Sequence, residues 1–110
     1  MSERIRVYCI LITDEGPREI VCDGSPNSPY THDALGNTPT FMGSYEQNVY
    51  LMGLAEPPTG CALVPDHMIP PGSREPGSLP SPLLLTRLDD EFEPADFRMV
   101  DYQRMFDGRT

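Results

Sequence analysis

Three cysteines, two histidines and a run of acids are the side chains of this 110-residue chain whose types could do chemistry. Cys9, Cys22, Cys61, His32 and His67 are the groups that would hold a soft metal or form a thiolate and imidazole pair. Zinc sites draw four such ligands from close-spaced pairs, and these five offer none of the usual short spacings, so no metal ligand is assigned. A cysteine and histidine pair assembles in space rather than in sequence, which keeps Cys61 with His67 or His32 open as a nucleophile and its base. The simpler expectation is that the thiols are small buried apolar groups. Their odd number and wide spacing fit reduced thiols inside a cell.

The acids cluster late in the chain, as Asp89, Asp90, Glu91 and Glu93 with Asp96 beyond them. Several carboxylates can surround a hard cation, but the alternation and the glycine of a helix-loop-helix calcium site are missing. Negative charge just ahead of a helix is favoured by the helix dipole and by capping, so a structural role accounts for it. No Gly-x-Ser-x-Gly elbow and no dinucleotide or phosphate glycine loop occurs. All eight basic residues are arginines; the absence of lysine excludes a Schiff-base lysine and a phosphate-loop lysine. With 17 acids against those 8 bases the net charge is -9, which disfavours direct binding to nucleic acid or to an anionic membrane. No catalytic residue and no cofactor are expected.

The elements that must position these groups are short. Ile5 to Thr13 is apolar at nearly every position and rich in β-branched residues, the pattern of a strand covered on both faces. Asp14 to Pro17 is turn chemistry, and Arg18 to Cys22 supplies a return strand; a loop at Glu15 and Gly16 would set Cys9 opposite Cys22. Asp23 to Asp33 reads as loop, with one helical turn around Ala34 and Leu35 stopped by Gly36. Strands follow at Thr40 to Tyr45 and Asn48 to Leu54. From Glu56 to Pro82 eight prolines forbid a long element; an excursion of this length is either functional or a tolerated insertion. Leu83 to Leu88 suits a further buried strand, and Asp89 to Pro94 an acidic turn. A final helix is capped by Asp96, with Met99, Tyr102 and Phe106 on one face and Gly108 at its end. Phe97 and Val100 lie off that stripe and, with Asp89, Asp90, Glu91 and Glu93, form the candidate partner surface.

Together these elements predict an α+β fold: one mostly antiparallel sheet of about five short strands, packed by a C-terminal helix and interrupted by a long Pro-rich loop at 56–82. Residues 1–110 make a single domain, since 110 residues suffice for one core and not two. No apolar stretch is long enough to span a membrane, and Met1 to Arg4 opens no signal sequence, so an intracellular protein is expected.

Ala34-Leu35-Gly36, Thr40-Phe41-Met42-Gly43-Ser44-Tyr45, Asn48-Val49-Tyr50-Leu51-Met52 and Leu84-Leu85-Thr86-Arg87-Leu88-Asp89, running on to Asp96-Phe97 and Tyr102, form a discontinuous pattern over residues 34–106. It resembles small uncharacterised proteins of large nucleocytoplasmic DNA viruses and some algae. That resemblance implies a viral accessory or virion-associated protein, in host cytoplasm, nucleus or virion, and carries over no catalytic residue. Three readings are open. The leading one is a non-enzymatic protein that acts through a protein partner, with homo-oligomerisation through a sheet edge as its variant. The second is a small enzyme or ligand-binding domain whose site gathers Cys61, His67 and the acids from Asp89 to Glu93. The third is an acidic mimic of nucleic acid that occupies a basic groove.

Overall fold

A computed structural model describes residues 6–25, 28–71 and 77–107. Its elements are β1 (Arg6–Thr13), β2 (Gly16–Asp23), α1 (Tyr30–Leu35), β3 (Pro39–Tyr45), β4 (Val49–Leu54), β5 (Leu63–Val64), β6 (Leu79–Pro80), β7 (Leu83–Leu88), β8 (Pro94–Ala95) and α2 (Met99–Asp107). Five strands run in the order β2-β1-β7-β4-β3, β8 pairs with the end of β7, and β5 and β6 make a separate two-stranded sheet. Every pairing is antiparallel. The architecture is the expected α+β one, with a single main sheet and a C-terminal helix. β1, read as an interior strand, lies between β2 and β7; the most apolar run, Leu83-Leu84-Leu85, takes the middle of the sheet and is fully buried on both faces.

Alternation of side chains along each strand divides the apolar residues into two clusters. Ile10, Ile12, Val49, Leu51, Leu83 and Leu85 face the side that α2 covers, with Phe97 and Tyr102 packed on them. Val7, Cys9, Cys22, Leu54 and Leu84 face the opposite side and meet Leu35 of α1. Each fully buried aliphatic or aromatic side chain contributes about 1.5–3 kcal/mol, so the doubly covered middle of the sheet holds most of the stabilisation. A bulge between Phe41 and Gly43 changes the parity of β3. As a result Phe41 pairs with Met52 on the α1 side, and Gly43 with Leu51 on the α2 side.

Besides α1, which takes in Tyr30 to Asp33 where the sequence reads as loop, three details depart from the sequence reading. The first hairpin turns at Asp14 and Glu15, because Gly16 at φ 123 takes the first paired position, opposite Thr13. Cys9 therefore pairs with Ile20, and Cys22 with Val7. The pairing has moved by an even number of residues, which preserves the face, so the two thiols are diagonal neighbours on one side. Second, the Pro-rich stretch is no loose insertion in its described part. Val64, Ile69 and Pro70 are buried, Pro70 O accepts from the Tyr45 hydroxyl at 3.0 Å, and Met68 O accepts from the Tyr102 hydroxyl at 2.6 Å. Third, Asp96 does not cap α2. Its carboxylate accepts from Tyr8 N at 3.0 Å, while Asp101 takes Arg98 N at 2.9 Å and Glu19, from β2, takes Met99 N at 2.9 Å. Gly108, read as the stop of that helix, lies outside the described residues, as do Met1 to Arg4 and Ile5.

Candidate functional site

α1 is too short to be stable alone. It carries no side-chain cap, and it closes on Gly36 at φ 85, whose N–H donates to His32 O. Its position is fixed by Leu35, buried against the sheet, and by Tyr30. The Tyr30 hydroxyl lies 3.0 Å from Thr86 Oγ1, and the Cys9 thiol lies 3.8 Å from the same oxygen. Thr86 is only 4% exposed and is the polar residue among the described core side chains. A buried hydroxyl needs partners, and here both come from groups that can ionise.

Cys9 is fully buried, and Cys22 nearly so; both are free thiols. Hydrogen bonding to Cys22, reinforced by burial and by the nearby charge, pushes the Cys9 thiol far up from its ordinary range. The same hydrogen bond holds the Cys22 thiol below its usual value, against the opposing effects of burial and of the Asp33 carboxylate. Burial raises the Tyr30 phenol, while its bond to Thr86 pulls the other way. A cavity of about 280 Å³ opens beside this cluster, lined by Ile20, Cys22, Asp23, Tyr30, Asp33 and Ala34 among others. Cys22 is thus the thiol that reaches the cavity, Cys9 lies behind it, and the two carboxylates of the lining make the mouth attractive to cations.

The second candidate region is the turn between β7 and β8. Asp89 organises it: its carboxylate accepts from Glu91 N at 2.8 Å and Glu93 N at 3.0 Å. Its backbone closes on Glu93 O and Phe92 N. Asp89 is consumed by the turn, while Asp90, Glu91 and Glu93 are exposed around Phe92, which stands 74% exposed at φ 64. Left-handed backbone at a bulky residue costs roughly 1–2 kcal/mol and holds the ring outward.

Phe97 does not belong to the outer surface. It is fully buried, its N–H donates to Tyr8 O at 2.9 Å, and the Arg87 guanidinium stacks over its ring at 5.3 Å. Helix α2 begins only at Met99, so Phe97 sits on the irregular segment between β8 and α2, packed into the core, rather than on a helix turn. Val100 is on the outer side of α2 and half exposed, at 50%. Cys61 is half-buried at the start of the Pro-rich stretch, and His67 is exposed on a single 3-10 turn, Asp66–Met68. His32 lies 3.9 Å from Asp33 on the exposed side of α1. Among the described residues no group of three or more His, Cys, Asp and Glu side chains is placed to hold a metal ion.

Sequence reasoning missed Tyr30, Thr86, Phe92 and Glu19. Two of them left a signal. Thr86 interrupts an otherwise apolar strand, and Phe92 is the lone aromatic in an acidic turn. Tyr30 and Glu19 act through partners 56 and 80 residues away, which no local pattern encodes.

The fold and these regions define a small domain built on one antiparallel sheet, with a thiol and hydroxyl cluster under its short helix and an aromatic held out on an acidic turn. Residues 9–105 match a protein family described as a family of unknown function, DUF5880, and the chain belongs to it. No curated protein and no solved structure matches the chain. Among the described residues no helix is long and apolar enough to cross a membrane.

Proposed function

We propose that this is a non-enzymatic protein that works by contact with a protein partner, and that the contact is made by the β7–β8 turn. Phe92 is the anchor, and Asp90, Glu91 and Glu93 are the charged rim. The observation that carries this reading is the exposure of Phe92, 74%, on a turn that Asp89 ties at two backbone N–H groups. An aromatic held rigidly outward loses little conformational freedom on docking, and aromatic anchors in desolvated pockets dominate many interfaces. Net charge of -9 and the acids flanking the ring select a partner with an apolar pocket bordered by arginine or lysine, and speed its encounter. The resemblance to proteins of large DNA viruses supplies the setting, a viral accessory or virion-associated role inside the host cell.

The test is a photo-crosslinking phenylalanine analogue at position 92, expressed in the native cells, with the same analogue at the exposed Val21 as control. The expected result is a crosslink to one basic protein from position 92 alone. It should be lost when Asp90 and Glu91 are changed to arginine and weakened by salt. Equal crosslinking from both positions, or capture that ignores the charge reversal, would count against the reading.

A further inference from the structure

We propose that Cys9 and Cys22 form a two-coordinate site for a soft monovalent cation of the copper(I) type, entered through the cavity beside α1. Soft thiolates select such an ion over the harder divalent metals. The ladder register favours this over a disulfide. In the β1–β2 ladder Cys22 stands opposite Val7 and Cys9 opposite Ile20, so the thiols are diagonal neighbours. Diagonal Cα atoms are about 7–8 Å apart, beyond the ~4.4–6.8 Å that a disulfide spans. An ion between two sulfurs needs a wider gap, about 4.6 Å for two metal–sulfur bonds of ~2.3 Å in line, and the thiols share one face of the hairpin and one buried cluster.

Three further features fit the ion. The thiols are screened from water, since Cys9 is fully buried and Cys22 nearly so, which protects a reduced soft cation. Asp23 and Asp33 line the entrance and attract positive charge. The Thr86 hydroxyl, 3.8 Å from the Cys9 sulfur and 3.0 Å from the Tyr30 hydroxyl, can donate to a Cys9 thiolate while Tyr30 donates to Thr86. Outer hydrogen bonds of this kind orient ligands and stabilise their charge. Binding breaks two S–H bonds and forms two metal–sulfur bonds. Two protons leave to solvent, and the site passes from neutral thiols to a complex of net charge minus one.

The probe is copper(I) itself, prepared without oxygen and titrated into the reduced full-length chain against a colorimetric copper(I) chelator. One ion per chain is expected, with X-ray absorption showing two sulfur neighbours. Cys22→Ser and Cys9→Ser should each abolish tight binding, and Cys61→Ser should leave it unchanged. Thr86→Val, a near-isosteric change that keeps the strand, should weaken affinity by roughly 10–100-fold. Circular dichroism of each variant separates loss of the ion from loss of the fold. The inference is overturned if Cys22→Ser folds and still binds, if Cys61→Ser abolishes binding, or if absorption shows four sulfurs shared between two chains. Conversion to an intramolecular Cys9–Cys22 disulfide with no copper retained would also overturn it.

Discussion

Along β1 the even positions, Ile10 and Ile12, meet α2, whereas the odd ones, Val7 and Cys9, meet α1. The same alternation on β7 sends Leu83 and Leu85 one way and Leu84 and Thr86 the other. On the α2 side the strands present hydrocarbon, and the polar groups there are tied off at the edges, as Tyr102 to Met68 O and Tyr45 to Pro70 O. On the α1 side the core includes two thiols and a hydroxyl, covered by a helix of six residues with a cavity alongside. The covering elements explain the difference. α2, the segment leading into it and the Pro-rich stretch supply bulky apolar residues, Tyr102, Phe97, Val64 and Ile69, to close one side, while α1 offers Leu35 and Ala34 and leaves the rest to a tyrosine. One sheet thus carries a face sealed by hydrocarbon and a face whose core holds two thiols and a hydroxyl beside a cavity.

The largest effect should come from the hydrocarbon side. Leu85→Ala or Phe97→Ala is expected to cost about 3–5 kcal/mol, since both side chains are fully buried and their cavities cannot collapse against packed strands. Denaturant unfolding measures it. Leu84→Ala, equally buried but facing the less tightly covered side, should cost less than Leu85→Ala. If the two costs were equal, the contrast between the faces would be broken. Tyr102 sharpens it by pH. Burial pushes this phenol up to about 12, above the ordinary value of 10.0. The raised folded value means that its contribution to stability is complete below pH 10 and is lost as pH rises through 12, so the α2 side should loosen in that window. Ultraviolet titration of tyrosine alongside unfolding checks it, and the Tyr102→Phe variant should lose the dependence.

Smaller effects lie at the edges. Glu19 holds Arg98 at 3.0 Å and takes Met99 N, and the Arg98 guanidinium beside it, with that N–H, lowers its carboxyl. A lowered folded value contributes stability that is present above the ordinary carboxyl range and disappears as pH falls through it. The difference between Glu19→Gln and the parent should therefore vanish in acid, as thermal melts across pH would show. Smallest of all, Phe92→Gly should leave stability unchanged or raise it by up to ~1 kcal/mol, because glycine adopts positive φ freely. A clear loss would mean that Phe92 packs on the fold and is not an outward anchor.

Much of the fold was legible because it rests on local pattern. The strand from Arg6 to Thr13, the turn at Asp14, the Leu-rich strand before the acids and the Met99, Tyr102 and Phe106 stripe all follow from periodicity and turn chemistry. What failed was set by contacts between distant segments. Asp96 reads as a cap by its position before the helix, yet Tyr8 N claims it. Phe97 lies off the helical stripe and therefore reads as exposed, but the helix begins two residues later, and Phe97, bonded through its N–H to Tyr8 O, is buried in the core. The Pro-rich stretch shows no period, so nothing in its sequence reveals that Val64 and Ile69 seal the core. The site was the least legible part. Cys9 and Cys22 were visible, and their shared face follows from the hairpin, but Thr86 and Tyr30 join them only through the strand order β1-β7 and the placement of α1.

The claim that the cavity beside α1 gives access to one thiol of the buried pair is tested most directly by alkylating the folded, reduced protein with a small iodoacetamide reagent. Mass spectrometry then follows each cysteine against pH. The account predicts that Cys22 reacts through the cavity, with a midpoint below that of an ordinary thiol, while Cys9 remains protected until the protein unfolds. Protection of Cys22 equal to that of Cys9, with both labelled only at the rate of global unfolding, would contradict it.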